Sequence, residues 1–244
     1  MNSLRNILQS ITTKSDGVIQ LLQCLPQEHF SMDVHLCSFG GVGTSEVSNF
    51  LNLHGISTNL LSDEDNLKHI NSPPKHGSPG PKCVIYLYGD PLASIASHYR
   101  RGHAYHQALK TSGKWLKENE FPKTFREYVE RGEDLFGYYS HFQHWLSSKT
   151  DYNIVMVRYE FMWEQDIFRQ LLFLACGHIK GKDEIEQMTQ SFCLGWRGRQ
   201  SLVPPDCRQG LYNDLLSIMD NLPPLFVRDQ EGSMTLNFGV LSHA

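Results

Sequence analysis

The stretch Cys37-Ser38-Phe39-Gly40-Gly41-Val42-Gly43-Thr44-Ser45 leaves an apolar run and enters an amphipathic one. Upstream, residues 33–39 read as a short buried strand. Downstream, Val47, Phe50 and Leu51 recur on one face of a helix. Glycines at such a junction let backbone N–H groups crowd around an anion, and the helix N-terminus adds unsatisfied donors and the positive end of its dipole. Thr44 and Ser45 place hydroxyls where a phosphate would sit. In open α/β sheets ligands lie beyond the carboxyl ends of the strands, where this turn falls. A tight turn that needs glycine for its geometry alone reads the same way. A Walker A loop is excluded, because Thr44 follows Gly43 where that motif requires lysine.

Working outward, residues 4–11 and 18–22 carry helical spacing ahead of the first strand. Residues 62–82 are rich in Pro, Gly, Ser and charge with no apolar period, and a loop of that length in a compact domain is more often functional than ornamental. Residues 83–88 form a second apolar strand. Asp90 then caps a helix and Pro91 suits its first position. Phe125, Tyr128 and Val129 mark another helix closed by Gly132. A longer one runs through Tyr138, Phe142 and Trp145. Residues 154–157 are a third strand, and Ile167, Phe168, Leu171 and Leu172 give a helix ending at Gly177. Two more helices, around 184–192 and 209–220, precede an irregular tail from 222 to 244.

Strands that are apolar throughout and alternate with helices imply an α/β fold, with a central mostly parallel sheet covered on both faces. The whole of 1–244 reads as a single domain, with its core about 32–200 and the helices of 1–24 in front. At 244 residues the chain can bury a sizeable core. Its net charge of -4 argues against a general nucleic-acid binder, so an anionic ligand needs a local cluster of donors. Six cysteines lack CxxC or zinc spacing, and several lie in apolar runs, which reads as buried thiols in a reducing compartment. No run approaches a membrane span, and residues 1–24 lack a secretory h-region, so a cytoplasmic location is expected.

The glycine turn resembles the 5′-phosphosulfate-binding loop of the sulfotransferase family, Tyr-Pro-Lys-Ser-Gly-Thr-Thr, with Phe39 at the tyrosine and Gly43-Thr44-Ser45 at Gly-Thr-Thr. Tyr88-Gly-Asp-Pro…Ser97-His-Tyr99 resembles the family's 3′-phosphate element. Phe125-Arg-Glu-Tyr through Trp145 resembles its Gly-Ser-Trp…His…Trp stretch, and Arg158-Tyr159-Glu160 its Arg-Tyr-Glu-Asp motif. The resemblance implies a three-layer P-loop-like fold. It also implies 3′-phosphoadenosine 5′-phosphosulfate (PAPS) as donor, 3′-phosphoadenosine 5′-phosphate (PAP) as product, a small-molecule or glycan acceptor and no metal.

The pattern breaks at two charged positions. Gly41 stands where the family has its catalytic lysine, and Gly89 where an arginine grips the 3′-phosphate. Losing such donors costs transition-state stabilisation and a bidentate contact. On the helix from Pro91, Ser94, Ser97 and Arg101 share a face. Arg101 either supplies the missing 3′-phosphate charge or is a solvated cation near a helix end. Trp196, Arg197 and Arg199 are the nearest counterpart of the family's C-terminal Arg-Lys-Gly loop, Trp196 being able to stack an adenine. For a general base the resemblance points to a histidine before the second element. His69 is the first candidate, ahead of His76, His103 and His106, and each of the twelve histidines also reads as structural. Lys68 can stand in for the absent lysine. Three functions remain open: a sulfotransferase acting on a hydroxyl or amine, a non-catalytic or altered-donor relative, and a P-loop phosphotransferase, which lacks its lysine and magnesium-binding Asp.

Overall fold

A computed structural model describes residues 32–76, 80–195, 203–204, 207 and 210–235. The early helices, Cys24, Trp196, Arg197 and Arg199 lie outside the described residues. A five-stranded sheet runs in the order β1 (Val34–Ser38), β2 (Cys83–Tyr88), β3 (Ile154–Arg158), β4 (Leu225–Arg228) and β5 (Met234–Thr235). The first three strands are parallel, and β4 and β5 join antiparallel at one edge. Every residue of β1 and β2 is buried, as apolar strands sandwiched between helices require.

Eight helices are described. They are α1 (Thr44–Leu53), α2 (Pro91–Arg100), α3 (Ala104–Ser112), α4 (Phe125–Arg131), α5 (Tyr138–Ser147), α6 (Gln165–Cys176), α7 (Lys182–Gly195) and α8 (Asn213–Asp220). Helix α5 covers one face of the sheet, where Trp145 stacks on Tyr86 at 4.9 Å and Phe142 meets Tyr88 at 5.2 Å. Helix α6 packs on β2 and β3, its Cys176 beside Cys83 on the opposite face. The α/β class and the three layers expected from the sequence are therefore present, and the architecture fits a P-loop-like fold.

Local chemistry accounts for several of these boundaries. Asp90 Oδ1 accepts the N–H groups of Leu92 (2.9 Å) and Ala93 (3.2 Å), and Pro91 opens α2 as foreseen. Gly132 closes α4 with φ at 67°.

Helix α3 departs from the sequence expectation, because its buried face consists of Ala104, Gln107, Ala108, Thr111 and Ser112, too small and polar to give an apolar period. The tail after 222 is not irregular throughout, since β4 and β5 lie within it. Leu225, Phe226 and Arg228 are buried there as the antiparallel edge of the sheet. Among the described residues no helix is long and apolar enough to cross a membrane. Cys37, Cys83, Cys176 and Cys207 are buried free thiols.

Candidate functional site

The glycine turn sits at the carboxyl end of β1. Gly40, Gly41 and Gly43 all have positive φ, at 94°, 71° and 77°. Side chains from beneath hold this shape. Ser38 Oγ accepts the Gly40 N–H at 2.9 Å and pairs with Thr44 Oγ1 at 2.6 Å. Ser94 Oγ donates to the Gly40 carbonyl at 2.6 Å and takes a 3.0 Å hydrogen bond from the Tyr138 hydroxyl. Gln107 Nε2 donates to the Phe39 carbonyl at 3.0 Å. Gly43 caps α1 with no side-chain hydrogen bond, so the first-turn donors of that helix have no side-chain cap.

The sequence-predicted residues of the turn therefore divide. Gly41, Gly43, Thr44 and Ser45 line a cleft of about 630 Å³. Gly40 is buried with its N–H and carbonyl both engaged, and the Val42 side chain belongs to the core. In this arrangement these two residues shape the turn from within. The Thr44 hydroxyl is likewise held by Ser38, whereas the Ser45 hydroxyl is exposed at the cleft.

Two loop residues reach the turn from outside. Lys68 Nζ donates to Ser45 Oγ at 2.7 Å and to the Leu61 carbonyl at 3.0 Å. Its backbone runs beside the end of β1, where the Ser38 N–H donates to the Lys68 carbonyl at 3.1 Å. Burial lowers the Lys68 pKa, and nearby Asp63 works against that shift. Asp63 organises the loop. Its Oδ1 accepts the Lys68 N–H at 3.0 Å, and its Oδ2 pairs with Lys110 of α3 at 2.6 Å.

His69 follows, with Nδ1 2.9 Å from the Ser38 carbonyl. A carbonyl only accepts, so Nδ1 carries the proton and Nε2 keeps a free lone pair for proton abstraction. Burial pulls the His69 pKa down to about 4, which keeps the ring neutral at physiological pH.

Ser97 and Arg101 border the same cleft from α2. Arg101 folds back on its helix, donating from Nε to the Ser97 carbonyl at 3.2 Å and from Nη2 to His98 Nδ1 at 3.4 Å. Gly89, in contrast, faces Glu160. A β-carbon there would lie 2.8 Å from Glu160 Oε1, which already accepts the Asp90 N–H at 2.7 Å. Arg158 holds Glu160 at 3.2 Å and Asp220 at 2.7 Å, so this group is a brace between β2, β3 and α8. His103 and His106 line the cleft from the start of α3, whereas His76 lies elsewhere, 3.2 Å from His35. Among the described residues no cluster of His, Cys, Asp or Glu is arranged to hold a metal ion.

Sequence reasoning did not find Asp63, His98, Gln107 or Lys110. The last two sit on the unforeseen helix, whose one legible mark is Gly113, its left-handed C-cap.

A glycine turn at a strand end, a helix N-terminus without a side-chain cap and a lysine against the turn meet at one cleft of an α/β fold. Residues 80–170 match the family model described as the sulfotransferase domain. That segment runs from β2 into α6 and contains the Asp90 cap, Ser97, Arg101 and the Arg158–Glu160 brace. The matched segment is less than half of the chain, and the match supports a sulfotransferase-type domain over that segment. No curated protein and no solved structure matches the chain.

Proposed function

We propose that this chain moves a sulfuryl group from PAPS to a hydroxyl or amine of a small-molecule or glycan acceptor. The observation that carries the reading is Lys68 Nζ at 2.7 Å from Ser45 Oγ, a cation delivered from the loop to a turn that lacks its own lysine. When bound, PAPS supplies an activated sulfuryl group on its 5′-phosphate. The N–H groups of Gly41 and Gly43 and the Ser45 hydroxyl hold that phosphate, and Lys68 offsets the charge that builds on it. Ser97 and Arg101 fit the 3′-phosphate. His69, oriented by the Ser38 carbonyl, takes the acceptor proton at Nε2.

The family's lysine cannot occupy position 41 here, since a β-carbon would lie 2.9 Å from Ser94 Cα. A non-catalytic relative is the second reading, and its motive is the pair of glycines at 41 and 89. Lys68 weighs against it, because the missing charge returns from another segment. The test is PAP release from PAPS, screened over phenol, amine and saccharide acceptors. Acceptor-dependent release that His69→Ala abolishes supports the first reading. PAP binding without release from any acceptor class supports the second.

A further inference from the structure

His98 lies on α2 behind the glycine turn and is 4% exposed. Arg101 Nη2 is 3.4 Å from its Nδ1. Guanidinium only donates, so Nδ1 carries the lone pair and the ring proton sits on Nε2. That Nε2–H is buried and has no partner in the structure. Such a donor is costly to leave unmade, and native proteins seldom leave one without a reason.

The direction of this donor is informative. A β-carbon added to Gly40 would lie 2.8 Å from His98 Nε2, so only the bare glycine leaves room for the ring at the turn. His98 also lines the cleft with Gly41, Gly43 and Lys68.

We infer that His98 is a further anion-binding residue, whose Nε2–H is satisfied when a phosphate or sulfate oxygen, or the water it holds, seats on the glycine turn. The inference rests on reading the turn as the anion site and adds a donor from α2 to it. Arg101 then acts partly through His98, as a positioning residue that fixes its tautomer. The ring is held neutral with a pKa near 3, by burial first and then by Arg101, His69 and His103. A neutral donor suits a ligand that already has Lys68 for charge. The charged or titratable neighbours on the packed elements are Arg101 on α2, His103 beside α3, and His69 and Lys68 on the loop.

The test uses the full chain with inorganic pyrophosphate and, separately, PAP. Wild type, His98→Gln, which keeps an N–H near the Nε2 position, and His98→Phe, which removes it, are titrated alongside urea unfolding of each apo protein. The expected result is pyrophosphate binding about tenfold weaker in His98→Phe, largely restored in His98→Gln, with apo stability of the Phe variant equal or raised. In nitrogen-15 spectra of the wild type the His98 Nε2–H resonance moves downfield on adding pyrophosphate. Equal pyrophosphate affinity in all three proteins, or a His98 resonance that does not respond, overturns the inference. Pyrophosphate binding without PAP binding removes the PAPS reading and leaves His98 in place. No binding of either ligand removes both.

Discussion

A β-carbon at Gly41 would meet Ser94 Oγ at 2.7 Å and Ser94 Cα at 2.9 Å, with φ already at 71°. Helix α2 presses too closely on the turn for any side chain, and the left-handed backbone adds about 1–2 kcal/mol for a non-glycine residue. Restoring the family residue by Gly41→Lys is therefore expected to lower the melting temperature and not to raise turnover. A faster enzyme with unchanged melting would show that the turn has room after all. The cation is instead placed by Lys68, so Lys68→Met should cut both donor affinity and kcat. His69→Gln should lower kcat while leaving PAP affinity nearly unchanged, which isothermal titration beside steady-state kinetics separates. In the proposed reaction the neutral His69 ring is the base, and burial lowers its pKa to about 4, so kcat/KM in pH-jump assays is expected to hold down to near pH 4 rather than fall near 6.5. On the alkaline side activity should decline before 10.5, since burial lowers the Lys68 pKa.

Residues 62–70 of the Pro- and Gly-rich loop behave as a structural element despite their composition. Asp63 and Asn66 take left-handed backbone, and Asp65 accepts the Leu60 N–H at 2.6 Å and the Leu67 N–H at 3.2 Å. Trp145 Nε1 donates to the Ile70 carbonyl at 3.0 Å, tying the loop to α5. Asn59 extends the sheet with its side chain, accepting the Leu36 N–H at 2.8 Å and donating to the Leu36 carbonyl at 3.1 Å. Asn59→Ala strands both of these buried groups and should cost about 1–3 kcal/mol in urea unfolding. Unchanged stability would mean that water replaces the amide. The glycine turn and the α2 cap were legible because each rests on a local signal: clustered glycines after an apolar run, and an Asp-Pro start. Helix α3 and strand β4 were not. The buried face of α3 is small and polar, and the few apolar residues of β4 become a strand only when β3 pairs with them. The meeting of Lys68 with Ser45 and of Asp63 with Lys110 depends on chain segments 23 and 47 residues apart, which no local pattern encodes.

At the scale of the molecule, four imidazoles among the described residues are held neutral by burial: His35, His98 and His141 near pKa 3 and His69 near 4. The unfolded chain takes up these protons near pH 6.5 and the folded chain only at 3–4, so between those limits the unfolded state binds more. Stability is therefore full above about pH 6.5 and falls as pH drops, by up to about 1.4 kcal/mol per pH unit for each group. Urea midpoints at pH 7.5 and 5 should differ clearly, and equal midpoints would mean that these rings titrate normally when folded. The proposed anion site is a glycine turn at which Lys68 stands in for the missing lysine. It is tested most directly by calorimetric titration of PAP into the wild type and into Lys68→Met at the same salt. Saturable binding weakened about tenfold by the substitution is expected, the worth of one charge-assisted contact. Equal affinity in the two proteins, or no heat from the wild type at millimolar PAP, would contradict it.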